Sequence, residues 1–453
     1  MLVLKIALGL LGLGIVVFIH ELGHFLAARL VKIDVEAFSI GWGNPILKKK
    51  IGAVEYRLGM FPIGGYCKMK GEGDYKEVWE KMKNGVKPLE GSYLGASPQA
   101  RILVAFAGPF FNLIFAVVLL SFLWGFGIEI NTLSNKIVLY SELAEGVTYP
   151  ADEAGLKTGD RIISINGRAI NYYHEIQELT ALNPNNTLDM LIERDVGVAR
   201  EIHQISVVPA LDKSSGAGRI GISFWADPVI ESVTDDSPAQ RAGLLPGDII
   251  ISANDENIKN SLDLFRIRKE NPGALALVYE REGFAREAFF GEEELTGELG
   301  FSWASIQYRT PRLSIPAAFA KGITESIKTL TVSIKSLRLL FMGIDLTQAV
   351  SGPVRITYMI GDMATQGFGQ SFGMGLRSTI EFIALISIAL CVMNLLPLPI
   401  IDGGMIVLFL IELIRRKPIP PKAVSIFQAA GMAIIFSLLV LAVFGDILFF
   451  VRQ

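Results

Sequence analysis

The sequence predicts a polytopic α-helical membrane protein with four transmembrane helices and two small α+β domains between the second and the third helix. Apolar residues make up 51% of the 453 residues and charged residues only 19%, a balance well outside that of soluble proteins. The apolar residues are concentrated in a few long runs, and an internal sequence repeat follows the second run. The net charge of −3 and the lack of a long basic block exclude nucleic acid as a partner. The partner that the composition predicts is the lipid bilayer.

Four runs of about 20 or more predominantly apolar residues satisfy the length of a membrane-spanning helix. They predict helices over 1–30, 101–128, 380–414 and 424–450. A cleaved signal peptide is the alternative for the first run. Its apolar region would be only about 7–15 residues long, however, and it would not explain the His and Glu side chains at the far end of the run. We therefore interpret the first run as a retained helix.

Lys and Arg residues beside the spans predict the orientation of the protein, because they gather on the cytoplasmic side of a membrane. One group follows the first helix, in the region 31–100, and another fills the turn after the third helix. Both segments should therefore be cytoplasmic. Four spans then place both termini and the segment 129–381 on the outer side, which is the periplasm if the protein lies in the inner membrane of a bacterium.

An internal repeat organises the outer segment. Residues 150–164 align without gaps on residues 238–252, and both copies carry the pattern PAxxAGLxxGDxIIS. The repeat predicts two sister domains, over 129–224 and 225–308. The pattern resembles PDZ domains, in the bacterial form that carries its Gly-x-Leu-Gly strand at the end of the domain. Such domains bind peptides by strand addition, and two small β-rich spacers without a ligand are the alternative.

The region 309–375 contains an amphipathic helix. Its apolar side chains recur at steps of three and four: Phe319, Ile323, Ile327, Leu330, Ile334, Leu337 and Phe341. This helix could lie on the membrane surface or pack against the second repeat domain, and its periodicity does not decide between the two. A turn signal at 351–354 then leads to a Gly-rich approach to the third span at 361–375.

The end of the first span carries the HExxH pattern, as HELGH at residues 20–24. On a helix, residues i and i+4 project from one face about 6 Å apart along the axis, so two imidazoles can bind one ion. Glu21 is then placed to act on water as a general base. The alternatives are chance or a His pair that only forms hydrogen bonds, but ionisable residues in an apolar span are costly and usually functional. Because the chain has only two cysteines, a Cys-based metal site is excluded.

A zinc hydrolase site needs a third protein ligand and an open fourth position. His174 and His203 lie in the repeat domains, away from the first span. Asp402 is the only charged residue between 382 and 411, and it is the candidate third ligand. A lone Asp that reaches the membrane interface or binds a partner helix is the alternative.

The residues around Asp402 do not favour a regular helix. Pro397 and Pro399 break helical hydrogen bonds, and we expect Gly403 and Gly404 to loosen the chain beyond Asp402. An unwound stretch at membrane depth is tolerated where it lines a polar cavity. Asp402 is therefore predicted to face the end of the first span.

Together these motifs resemble the bacterial site-2 protease family. The resemblance rests on HELGH in the first span, on GPFFN at 108–112 in the second, on the tandem repeats, and on NLLPLPIIDGG at 394–404. It covers nearly the whole chain. It implies a zinc metalloendopeptidase in which His20, His24 and Asp402 bind Zn²⁺ and Glu21 is the general base.

The resemblance also implies a set of substrate-binding residues: Asn394, Pro397, Pro399, Gly64 and Gly65. The two glycines belong to the segment 61–66, which resembles the family's membrane-associated β-hairpin, proposed to pair with an extended substrate. A cytoplasmic turn is the alternative for this segment. Ile401 stands where the family usually has Leu, a change too small to displace Asp402.

The activity implied by the resemblance is hydrolysis of peptide bonds in the transmembrane segments of single-span membrane proteins. The substrates would be proteins already shortened outside the membrane, such as an anti-sigma factor in envelope stress signalling, with remnant signal peptides as a further class. A substrate helix must unwind first, because its own hydrogen bonds shield its peptide bonds. The repeat domains follow the second span almost directly, and we expect them to act as a size-exclusion gate.

Two other functions compete with this interpretation. A membrane scaffold or receptor could bind outer peptides through its repeat domains and keep a decayed metal site, but a decayed site would be expected to lose at least one ligand or the base. A membrane-anchored peptidase could act on soluble peptides, but His20 is predicted to lie too deep in the membrane for access from the periplasm.

Overall fold

The computed structural model describes residues 2–73, 79–80, 90–127, 129–142, 146–197, 199–213, 216–295, 297–309, 311–339, 352–370 and 372–452. The chain forms two compact units. The first contains Met1–Ile128, Thr310–Phe341 and Asp345–Gln453, and the second contains Glu129–Arg309. Phe341 of the predicted amphipathic helix lies outside the described residues.

The described elements run from the first unit into the second unit and then return to the first. The first unit begins with α1 Leu2–Leu30, β1 Val35–Ile51, β2 Val54–Met69 and α2 Pro98–Phe126. The first repeat of the second unit contains β3 Glu129–Thr132, β4 Ile137–Leu139, α3 Pro150–Glu153, β5 Arg161–Ile165, β6 Arg168–Ala169, α4 Tyr173–Ala181, β7 Leu188–Val196, β8 Ala199–Val207, β9 Ala210–Leu211, β10 Gly218–Arg219 and β11 Ile222–Phe224.

The second repeat follows, and the chain then returns to the first unit. The repeat contains β12 Ile230–Val233, α5 Pro238–Arg241, β13 Ile249–Ala253, β14 Glu256–Asn257, α6 Ser261–Glu270, β15 Ala274–Arg281, β16 Phe284–Gly291, α7 Glu292–Leu295, β17 Phe301–Trp303 and β18 Ile306–Arg309. The first unit ends with α8 Ile315–Leu339, α9 Pro353–Gln370, α10 Phe372–Leu395, α11 Asp402–Arg415 and α12 Pro421–Arg452.

Four of the described helices are long and apolar enough to cross a membrane. They are Val3–Leu30, Pro98–Phe126, Phe372–Leu395 and Pro421–Phe449. The prediction of four spans is therefore confirmed for the part of the chain that the structure describes, while their orientation in the membrane stays a prediction.

The predicted third span over 380–414 is not one continuous helix, as the sequence around its two prolines predicts. Pro397 and Pro399 have no backbone N–H to donate, and the chain leaves the helix after Leu395 and starts α11 at Asp402. The spanning helix is α10, and most of the Gly-rich stretch at 361–375 lies in α9 and α10. The glycines there permit close packing, since a Cβ on Gly361 would collide with the backbone of α1.

Charged side chains within the apolar helices have partners in other helices. Lys5 Nζ lies 2.6 Å from Asp362 Oδ1 on α9. Arg101 on α2 donates to Glu412 on α11 at 2.7 Å, and both side chains are buried. Asp446 on α12 accepts hydrogen bonds from backbone amides at the start of α9. A buried charge is costly unless it is paired, so these pairs tie the helices of the first unit together.

Strands β1 and β2 form a folded hairpin beside α1. The first half of β1 pairs on both sides with β2, so that Phe38 lies between Tyr56 and Cys67. The segment 65–69 is thereby an outer strand of this small sheet. Phe25 and Phe38 pack edge to face at 5.5 Å and join the hairpin to α1. Large apolar side chains of the hairpin are exposed: Trp42, Ile46, Leu47, Met60 and Phe61.

The amphipathic helix α8 packs against the membrane-spanning helix α2. Its contact face consists of small residues at steps of four, Ala318, Gly322 and Ser326, which are buried. A Cβ on Gly322 would lie 2.8 Å from the backbone nitrogen of Ser121. The predicted apolar stripe is exposed at Phe319, Ile323, Ile327 and Ile334. Small residues let membrane helices approach closely, whereas apolar side chains gain little by leaving lipid.

The two repeats have the same topology. Each forms a four-stranded antiparallel sheet, in the order β6-β5-β7-β8 in the first and β14-β13-β15-β16 in the second. Each has its own hydrophobic core, around Ile162 in the first repeat and Ile250 in the second. The duplicated sequence thus folds into duplicated domains. Their PDZ identity and their boundaries stay predictions.

A buried ion pair is duplicated as well. Asp160 accepts two hydrogen bonds of 2.7 Å from Arg194, and Asp248 accepts two of 2.7 Å from Arg281. Each aspartate is 1% exposed. The aspartates belong to the repeated pattern, but the arginines lie on β7 and β15, beyond its aligned part. Each pair fastens the turn before a central strand to the neighbouring strand.

Candidate active site

The two histidines of the HExxH pattern project from one face of α1, as their spacing predicts. Their Nε2 atoms lie 3.2 Å apart, and each residue is 8% exposed. Glycines bring α2 close to this face. A Cβ on Gly23 would collide with the backbone of Ala107, and a Cβ on Gly108 would lie 2.6 Å from Cε1 of His24 and 2.9 Å from Cε1 of His20.

Asp402 completes a cluster of three donors. It is the first residue of α11, and its carboxylate lies 3.2 Å from Nε2 of His20 and 3.5 Å from Nε2 of His24. One ligand atom from each residue lies within 4.8 Å of the others. Tetrahedral zinc with bond lengths of about 2.0–2.1 Å separates its ligand atoms by about 3.3 Å. Two imidazoles and one carboxylate at these separations therefore fit Zn²⁺ and leave a fourth position open.

The loop before α11 turns Asp402 toward the histidines. Ile400 has a φ of +81°, which a β-branched residue rarely adopts. We expected Gly403 and Gly404 to loosen the chain, and this is wrong, because both lie in α11. Their missing Cβ atoms let the helix pack directly on the backbone of the loop, since a Cβ on Gly404 would collide with Leu398.

The ring of His24 is oriented by the second span. Its Nδ1 lies 2.8 Å from the carbonyl oxygen of Val104. A carbonyl only accepts, so Nδ1 carries the proton and Nε2 is free to bind a metal. This contact is not apparent from the sequence, because every residue has a backbone carbonyl. The neighbouring Gly108 could have been found from the GPFFN element.

Glu21 lies between the two histidines in sequence and faces the hairpin. A Cβ on Gly65 would lie 3.1 Å from Cγ of Glu21, and the backbone of Cys67 also contacts the carboxylate. Glu21 thus lies between the metal cluster and the outer strand at 65–69. This is the position that a general base needs if a substrate strand runs along the hairpin.

One cavity of about 620 Å³ contains most of the predicted site residues. Its lining includes the cluster residues and Glu21 together with Asn394, Gly64 and Gly65. Gly64 has a φ of +83°, and a Cβ there would collide with the ring of Trp42. The cavity continues past the metal cluster to Glu72. Burial raises the pKa of Glu72 by removing its carboxylate from water, although the backbone amide of Met69 partly offsets this effect.

Pro397 and Pro399 are not among the described residues that line this cavity. Pro397 is exposed, and Pro399 is buried beside α12, where a Cβ on Gly431 would collide with it. Both prolines shape the loop that presents Asp402. Their contact with substrate stays a prediction, as does that of Asn394 and the two glycines.

Known proteins match this chain over almost its whole length. Peptidase family M50 matches residues 8–438. The chain belongs to peptidase family M50, the site-2 proteases. A protein of Treponema pallidum named "Putative zinc metalloprotease" is 34% identical over 98% of this chain and 99% of its own length. A protein of the same name from Borreliella burgdorferi is 31% identical over 98% of both chains. The regulator of sigma E protease of Haemophilus influenzae is 29% identical over 97% of both chains.

Membership in family M50 establishes the enzyme class. The protein is a zinc metalloprotease, and Zn²⁺ is its cofactor. The predicted enzyme class and cofactor are therefore confirmed, and the membrane helices described above agree with membrane proteins as substrates.

Proposed function

We propose that this M50 protease cleaves peptide bonds within the transmembrane segments of single-span membrane proteins, with His20, His24 and Asp402 as zinc ligands and Glu21 as general base. One observation carries this proposal. Three donor atoms with the separations of a zinc shell, two of them on buried histidines and one on the half-buried Asp402, lie where a membrane-spanning helix meets α11. Ionisable groups at such a position are costly and mark functional sites.

The chemistry is hydrolysis of an amide. When bound, Zn²⁺ supplies a Lewis acid that polarises a carbonyl group and lowers the pKa of water to about 7. Glu21 takes a proton from the attacking water as the new C–O bond forms, and it gives that proton to the nitrogen as the C–N bond breaks.

The hairpin supplies the means to hold an unwound substrate. A helical peptide bond is shielded by its own hydrogen bonds, and a segment that unwinds in the membrane needs replacement partners. The strand at 65–69 is an outer strand beside Glu21, so an extended substrate could add to it as a further strand. Asn394 lines the same cavity and offers an amide to the substrate backbone.

The substrates we propose are single-span proteins of the anti-sigma factor type, already shortened outside the membrane, and remnant signal peptides. The support is the similarity to the Haemophilus influenzae regulator of sigma E protease. The corresponding place is the inner membrane of a bacterium, with both termini and the repeat domains in the periplasm. The distribution of Lys and Arg supports this orientation.

We further propose that the repeats are PDZ-like domains that select substrates by size. The chain enters them at Glu129, directly after α2 ends at Phe126. In the first repeat, Tyr173 at the start of α4 donates from its hydroxyl to the carbonyl of Ile222 at 3.1 Å. The carbonyl of the neighbouring Gly221 accepts from the backbone N–H of Tyr140, directly after β4. The carbonyl of Ile222 therefore points to the opposite, open side of β11, where an added peptide strand would bind. Tyr173 occupies that position, and this favours exclusion over peptide binding.

A deletion tests the role of the repeats. Replacing residues 131–308 by a flexible linker should retain cleavage of a shortened substrate and add cleavage of the full-length one. If the variant remains folded and zinc-loaded but still rejects the full-length substrate, selection resides in the membrane helices. If substitutions at Ile222 or Phe301 alone reproduce the deletion, peptide binding rather than size is the selecting property.

The experiment for the main proposal compares wild type with Glu21→Gln in lipid vesicles. The substrates are a single-span protein and a soluble peptide of the same sequence, and zinc per chain is measured in both enzymes. We expect Glu21→Gln to abolish cleavage of the span while zinc stays nearly stoichiometric. Substantial residual turnover would rule out Glu21 as the base. Cleavage of the soluble peptide alone would favour a membrane-anchored peptidase, and zinc binding without any cleavage by wild type would favour a scaffold.

A further inference from the structure

The second span holds a buried amide beside the metal cluster. Asn112 on α2 is fully buried, and its Nδ2 lies 3.3 Å from Nδ1 of His20. Its Oδ1 is also buried and has no hydrogen-bond partner among the residues that the structure describes. Buried polar atoms nearly always have a partner. The unpaired Oδ1 belongs to the same amide whose Nδ2 lies beside the imidazole of His20, and it therefore needs an explanation.

The choice of which ring nitrogen of His20 carries the proton explains the unpaired oxygen. Nε2 of His20 faces the cluster, 3.2 Å from Asp402 and 3.2 Å from Nε2 of His24. A neutral imidazole that binds a metal through Nε2 carries its proton on Nδ1, and that proton needs an acceptor. The amide nitrogen of Asn112 cannot accept it, but the oxygen can. A half-turn of the amide exchanges the two atoms with almost no change in shape.

His24 shows the same arrangement with a backbone acceptor. Its Nδ1 lies 2.8 Å from the carbonyl of Val104, which is also on α2. Asn112 and Val104 lie eight residues, about two helical turns, apart on α2. The two histidines lie four residues, about one turn, apart on α1. Helix α2 thus faces each imidazole with one group that can accept a proton.

We propose that Asn112 is a positioning residue of the metal site: its Oδ1 accepts the Nδ1 proton of His20 and directs Nε2 toward the metal. The inference rests on the proposed function, because it requires His20 to be a ligand. Loss of a hydrogen-bond partner of a ligand typically lowers metal affinity about 10–100-fold. An acceptor of similar shape should preserve the affinity, whereas an apolar residue of similar shape should not.

The test measures zinc affinity of the full-length protein by competition with a chromogenic chelator. Asn112→Leu removes the acceptor, and Asn112→Asp keeps one. Ser387→Ala is the matched control, because the buried Ser387 hydroxyl donates to the backbone carbonyl of Asn112 at 2.9 Å and does not contact the ring. We expect a loss of about 10–100-fold for Asn112→Leu, and wild-type affinity for Asn112→Asp and Ser387→Ala. The absorption spectrum of the Co²⁺-substituted protein should change in Asn112→Leu alone.

The outcomes separate this inference from the proposed function. Wild-type affinity in Asn112→Leu, or an equal loss in folded Asn112→Asp, would overturn the positioning role. If Asn112→Asp does not fold, nitrogen NMR of histidine-labelled, zinc-loaded wild type decides instead: a proton on Nδ1 of His20 supports the role, and its absence overturns it. His20→Ala is the benchmark for the ligand set. If that variant keeps wild-type zinc affinity, the ligand set of the proposed function itself fails.

Discussion

Gly108 offers the sharpest test of how the helices build the metal site, because it lies where α2 passes both imidazoles. A Cβ added there would lie 2.6 Å from Cε1 of His24 and 2.9 Å from Cε1 of His20. Carbon atoms in contact rest about 3.5–4.0 Å apart. In Gly108→Ala, the rings or the helix must therefore move by about 1 Å, whereas a metal site tolerates about 0.2 Å in its ligand distances.

Loss of a hydrogen-bond partner of a metal ligand lowers metal affinity by about 10–100-fold. We expect Gly108→Ala to lower zinc affinity by at least that factor, because the histidine rings themselves must move. Gly125→Ala is the matched control. Gly125 lies on the same helix, and the nearest atom to an added Cβ is 3.9 Å away. This substitution should keep zinc and stabilise the helix by about 0.5–1 kcal/mol. The assay is chelator competition together with thermal unfolding of the metal-free protein. Wild-type zinc affinity in Gly108→Ala would refute the packing argument.

Three further outcomes follow from the structure. Asp402→Ala should lower zinc occupancy and activity together, because two histidines alone leave the shell incomplete; full occupancy by metal analysis would show that another residue is the third ligand. Asn394→Ala should slow cleavage of a membrane-span substrate while zinc stays bound, and loss of zinc would instead place Asn394 in support of the metal site. Asp248→Ala should destabilise the second repeat by roughly 3 kcal/mol. This value is at the low end for a broken buried pair, because a fifth of the Arg281 side chain is exposed. Faster hydrogen exchange confined to that repeat would show the loss of stability, and unchanged exchange would contradict it.

The metal-binding residues and the general base could be predicted from the sequence, because charged and imidazole side chains are rare in the apolar runs that contain them. A His-Glu-His group and a single Asp stand out in long apolar runs, and membrane burial makes such residues costly unless they function. The structure brings His20, His24 and Asp402 within reach of one metal ion. Asn394 and the hairpin glycines line the same cavity, although their role in substrate binding is untested.

The supporting contacts were not open to prediction in the same way. Gly108 has no side chain, and Val104 contributes only its backbone carbonyl, so neither residue type indicates a role in the site. Their contacts with the histidines are apparent only once α1 and α2 are packed together. The arginines that pair with Asp160 and Asp248 lie outside the aligned pattern of the repeat, although they occupy equivalent strands. Each of these contacts depends on a partner distant in the chain, which local patterns do not specify.

Helix α8 shows that the face which packs on a neighbouring membrane helix need not be the apolar one. In water, the apolar stripe of an amphipathic helix is the face that gains by burial. Phe319 and Ile327 are exposed beside a candidate membrane-spanning helix. In a membrane, lipid would solvate them, so packing them against protein would gain little. The face that gains is the one that allows the closest approach, and that face carries Ala318, Gly322 and Ser326. Gly108 obeys the same rule at the metal site, where an absent side chain determines how closely α2 approaches the ligands.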